Sequence, residues 1–95
     1  MEPTRVTDYL PEWQCHKIVK AGKIIAIKDN ADDSAMLGVA AATAEQPDVP
    51  PISVLMGDAW MVKHNPSVGG YFVVYEDGYL SYSPADAFES GYTLK

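Results

Sequence analysis

The chain has 95 residues, 47% of them apolar and 11% aromatic, which is enough for one packed domain without metal or disulfide staples. Its one cysteine, Cys15, excludes an internal disulfide and suits a reducing compartment. A net charge of −6 disfavours generic nucleic-acid binding, and no stretch approaches the ~18 consecutive apolar residues a membrane span needs.

The charge is unevenly spread. Arg5, Lys17, Lys20, Lys23 and Lys28 fall in the first 28 residues, whereas from Asp29 onward only Lys63 and Lys95 stand against the acids. Residues 1–12 are polar and aperiodic, with no apolar run after Arg5, which argues against a signal peptide or anchor. They read as an N-terminal arm, with Leu10 and Trp13 flanking Pro11 and pinning its end to the body of the single domain, 13–95.

The stretch 16–28, HKIVKAGKIIAIK, is rich in β-branched residues and reads as a long strand with Gly22 at a bulge or sharp bend. The rival reading is a helix over 11–21 closed by Gly22, followed by a strand over 23–28. DNADDS then turns the chain, because its short polar side chains bond neighbouring backbone groups, and AMLGVAAA returns as an antiparallel partner. Proline removes ladder donors, so the proline-rich 43–51 is a loop. ISV reads as a short strand. GDAWMVKHNP reads as a short helix with Asp58 at the N-cap, Lys63 and His64 at the negative C-terminal end, Asn65-Pro66 as the stop, and Leu55, Ala59 and Val62 facing the core.

YFVVYEDGYLSYS, 71–83, predicts a hairpin with Asp77-Gly78 as a two-residue type I′ turn. That turn sets Glu76 opposite Tyr79, Tyr75 opposite Leu80 and Val73 opposite Tyr82. Alternation then places Tyr71, Val73, Tyr75, Leu80 and Tyr82 on a core side and Phe72, Val74, Glu76, Tyr79, Ser81 and Ser83 on a mixed, half-solvated side. Ser83-Pro84-Ala85-Asp86 opens a helix over 84–90, with Ser83 capping, Asp86 reaching back and Gly91 as a left-handed stop. The fold class expected is α+β: a small antiparallel sheet of about four strands, a C-terminal hairpin followed by a short helix, and one further short helix.

MVKHNPSVGGYFVVYEDGYLSYSPADAFESGYT, 61–93, resembles the C-terminal segment of small uncharacterised proteins of tailed bacteriophages and prophages. PEWQCHKIVKAGKIIAI, 11–27, resembles their N-terminal segment. The resemblance covers about half the chain, with 29–51 carrying little of it. It implies a phage or prophage origin and a bacterial host cytoplasm, or the virion, as the setting; it implies no activity and no catalytic residues.

The chemistry that the residues offer is sparse. Cys15 and His16 are adjacent and would point to opposite faces of a strand, so they do not share a metal. Cys15 as a nucleophile with His64 as its base has no local motif behind it. In the window that DNADDS opens, 29–40, Ala31, Ser34 and Ala40 stand where a calcium loop needs a ligand, a glycine and a bidentate carboxylate. Gly69-Gly70 is no phosphate loop, and Glu76 and Asp77 sit on an exposed turn where nothing tunes them for acid–base work. No catalytic, cofactor-binding or metal-binding residue is therefore assigned. Trp60 reads as core.

What remains is a non-catalytic phage accessory protein that acts through a protein partner, either a phage structural protein or a host protein, with Phe72, Val74, Tyr79 and Trp13 as contact residues. Separated charge also permits self-association. The alternative is a minor virion component, a decoration or head–tail joining subunit. A second alternative, an acidic inhibitor of a host enzyme, needs a continuous negative face that the lysines between 17 and 28 interrupt.

Overall fold

A computed structural model describes residues 6–14, 18–43 and 45–94. Its spine is a long strand, β2 (Ile18–Asp29), which confirms the strand reading for its described part and excludes the helix over 11–21. Two strands share one edge of β2: β1 (Glu12–Gln14) lies along 18–20 and β3 (Ala35–Val39) along 24–29. On the other edge, β5 (Tyr71–Val74) lies along 20–23 and pairs outward with β6 (Leu80–Ser83). β4 (Ile52–Met56) extends the sheet beyond β3, and β7 (Thr93–Leu94) beyond β1. Among the described residues the sheet thus has seven strands, with every pairing antiparallel, and two short helices, α1 (Asp58–His64) and α2 (Ala85–Gly91), follow β4 and β6. The fold is α+β as expected, with a larger sheet because short β1 and β7 join it.

The bulge expected at Gly22 falls instead at Ile25, and Gly22 pairs in regular register with Phe72. The register shifts between Ile24 and Ala26, and the extra residue turns Ile24 and Ile27 both inward while leaving Ile25 exposed. Gly22 instead serves a close approach. A Cβ there would lie 2.2 Å from the Ala40 carbonyl oxygen and 2.7 Å from Val39 Cγ1, so only glycine lets the chain cross beneath β3.

Both faces of β2 and β5 are covered. On one, Ile24, Leu37, Val39, Val54, Met56 and Phe72 form the larger core with Leu10, and Trp60, Met61, Leu80 and Tyr82 pack against it. On the other, Val19, Ala21, Tyr71, Val73 and Phe88 form a second cluster bordered by Trp13, Tyr75 and Tyr92. Phe88 of α2 is its keystone: it stacks on Tyr71 at 4.2 Å and Tyr92 at 4.6 Å and meets Trp13 edge-on at 5.0 Å. Such ring geometry adds to the area each ring buries.

The described part of the arm begins with a 3-10 helix, Val6–Tyr9, and runs through Leu10, 3% exposed in the larger core, which is the anchoring expected of that residue. Several other sequence expectations are corrected. In the hairpin, Val74 faces Leu80 and Phe72 faces Tyr82, one residue out of the expected register. The cause is the turn: Gly78 N–H donates to Tyr75 O, so Glu76 and Asp77 are the central pair, and Gly78 (φ 87) adds a bulge rather than completing a type I′ turn. A one-residue slip exchanges faces, so Leu80 and Tyr82 join the face of Phe72. Tyr82 packs over Gly70, where a Cβ would lie 2.4 Å from its ring.

The face of α1 is also inverted. Trp60 and Met61 turn inward, whereas Leu55 and Val62 are 60% and 81% exposed and Ala59 is exposed. Gly57 rather than Asp58 takes the N-cap position, and left-handed Asn65 (φ 42) ends the helix. For α2, Pro84 is the N-cap with no side-chain cap bond, so the Ser83–Asp86 box does not form, and Gly91 is the last helical residue without a positive φ.

Candidate protein-contact surface

The four contact residues expected from the sequence do not come together. Phe72 is 0% exposed and is corrected to a core residue: the register slip and the packing of α1 leave its side of the hairpin no solvated face. Val74 is half-buried against the same core. Trp13 lies across the sheet in the second cluster, edge-on to Tyr71 at 5.6 Å, with its indole Nε1 buried and, among the described residues, without a hydrogen-bond partner. Tyr79 alone is presented to solvent, at 45% exposure. Cys15 and His16 lie outside the described residues.

Around Tyr79 the fold assembles an aromatic rim. Trp60 anchors α1 to β6 by donating its indole N–H to Leu80 O at 3.0 Å. One turn on, His64 rests 4.7 Å from the Trp60 ring and 6.4 Å from Tyr79, and burial, then the Lys63 charge, hold its imidazole below its ordinary pKa. Lys63 donates to the Tyr79 hydroxyl at 2.9 Å, with its ammonium 5.4 Å from the ring centroid. Asp77 accepts the Tyr79 N–H at 3.0 Å, which fixes the turn. Tyr75 stacks on Tyr79 at 6.0 Å. Beside this pair a broad open groove of about 550 Å³ is lined by Ile18, Val19, Tyr75, Glu76, Asp77 and Tyr79.

Sequence reasoning placed Tyr75 in the core, where it is half-buried against the second cluster, and Glu76 and Asp77 on a solvated turn, where they are exposed, but it did not join them into a site. The signal it passed over was the YEDGY string itself, in which a five-residue loop sets two rings side by side with carboxylates between them. Further along the same face, in the second cluster, Tyr71 donates to Glu89 at 2.8 Å, and Lys23 lies 3.6 Å from the same carboxylate. Burial, then the Glu89 hydrogen bond, push the Tyr71 phenol up to about 12. Among the described residues no group of three His, Cys, Asp or Glu side chains could hold a metal, and no helix is long and apolar enough to cross a membrane.

No protein-family model matches the chain, and no curated protein matches its sequence significantly. Among solved structures, the chain is similar to the monomeric form of the phage L decoration protein, determined by NMR in solution. The two share 27% identity at a TM-score of 0.64, over 98% of this chain and 65% of that one, so the chain spans just under two thirds of that protein's length. The likeness supports a phage relation for the chain, together with its antiparallel α+β fold.

Proposed function

We propose that the chain is a minor virion component of the decoration type: a non-catalytic domain that attaches to the surface of an assembled phage particle through protein–protein contacts. The observation that carries this reading is the similarity to the phage L decoration protein along nearly the whole chain. The molecule suits the task physically. It measures 37 × 34 × 27 Å, with both faces of its central strands packed. Its exposed apolar residues, Leu55, Val62, Val68 and Tyr79 among them, are available for contacts outside the fold. A freely acting accessory protein or an enzyme inhibitor has no comparable observation in its favour.

Co-sedimentation tests the proposal. The purified, tagged chain is mixed with heads of the tailed phage that encodes it and separated on a gradient, alongside dissociated shell subunits. The chain should travel with the heads and saturate at a fixed number of copies per particle. Retention at the top of the gradient with intact heads would refute it.

A further inference from the structure

We propose that the groove beside the 75–79 turn receives an arginine side chain of a partner protein. Its chemistry is divided in the way such a side chain requires. Among its lining residues, Ile18 and Val19 offer apolar surface for the methylene stem, Tyr75 and Tyr79 two near-parallel rings, and Glu76 and Asp77 carboxylates. A planar guanidinium stacks on aromatic faces and pairs with carboxylates, which a compact ammonium does less well. Asp77 commits Oδ1 to the Tyr79 N–H, leaving its other oxygen for a ligand. Lys63 already lies 5.4 Å from the Tyr79 centroid and donates to its hydroxyl, so an incoming guanidinium shares that ring with Lys63 or displaces it, and Tyr75 supplies the second ring. The groove is open rather than enclosing, which suits a side chain presented on a protein surface more than a small molecule that must be mostly buried to be held. A net charge of −6 steers basic surfaces toward the chain. The inference rests on the particle-surface reading only for where the partner resides.

The probe is a blocked peptide, acetyl-Gly-Arg-Gly-Arg-Gly-amide, titrated at low salt into the isotope-labelled chain and followed by NMR, with its lysine counterpart in parallel. The expected result is saturable shifts centred on Ile18, Tyr75, Glu76 and Tyr79, tighter binding of the arginine peptide, and binding about tenfold weaker for Glu76→Gln/Tyr79→Leu. Glu45→Gln, which removes the same charge elsewhere, should leave affinity unchanged. Should the double variant misfold, Glu76→Gln alone carries the comparison, since Glu76 is exposed on the turn. Shifts spread evenly over the acidic surface, equal weakening by Glu45→Gln, or no saturable binding would overturn the proposal. Because the titration uses the free chain, it can fail while attachment to heads succeeds, and the reverse.

Discussion

Replacing Gly22 by alanine isolates the contact on which the central crossing depends. The new methyl would meet the Ala40 carbonyl oxygen at 2.2 Å, Val39 Cγ1 at 2.7 Å and Leu10 Cδ2 at 3.0 Å. The Val39 and Leu10 tips have rotamers to retreat into. The carbonyl does not, because the Ala40 N–H is tied to Lys23 O at 2.8 Å, one residue from the substitution. Relief therefore requires β3 to lift by most of an ångström and to weaken that bond. Overpacking costs about 1–3 kcal/mol and the weakened bond about 1, offset by up to about 1 because alanine suits a strand better than glycine. A net loss of about 2 kcal/mol lowers Tm by roughly 8–16 °C for a domain of this size. Circular dichroism melts read this directly, and hydrogen exchange at the Ala40 amide should accelerate in parallel. A Tm within about 2 °C of the parent, or above it, would refute the close crossing, since that is smaller than the shift from 1 kcal/mol.

Gly91→Ala should do the opposite. Gly91 ends α2 at negative φ with nothing within 4 Å of an added Cβ, so alanine should raise stability by about 0.5–1 kcal/mol. A destabilised variant would restore the left-handed stop. Phe72→Asp should abolish folding, because losing the ring costs about 3–5 kcal/mol before the burial of an unpaired carboxylate is added; a dispersed NMR spectrum for this variant would return Phe72 to the surface. Tyr71 should titrate near pH 12 in an ultraviolet absorbance titration. Its folded pKa lies above the unfolded value near 10, so its contribution is complete below about pH 10 and is lost as the pH rises toward 12. Tyr71→Phe should flatten that alkaline limb, and an unchanged limb would count against the burial of the Tyr71 phenol beside Glu89.

The local grammar of the chain was legible wherever one residue type has one physical use. The β-branched run gave the described part of β2, and Asn65-Pro66 gave the end of α1. What failed was counting faces. Asp77-Gly78 fits both a two-residue and a bulged hairpin turn, and a difference of one residue moved Phe72 from expected contact to core. The alternation rule also assumed one wet face, whereas α2 and the β3–β4 layer cover both sides of β5, and that covering depends on contacts distant in sequence. The inversion of α1 has a similar origin: Trp60 finds its acceptor, Leu80 O, twenty residues on, which no local pattern encodes. The Tyr75–Tyr79 groove was hidden for the same reason, since Ile18 and Val19, which help line it, come from the other end of the chain.

The central claim is attachment to an assembled particle, and a reconstruction of phage heads saturated with the chain tests it most directly. The account predicts added density at repeated, equivalent positions on the outer shell, with each unit matching a body of 37 × 34 × 27 Å. Saturated heads indistinguishable from bare heads would contradict it.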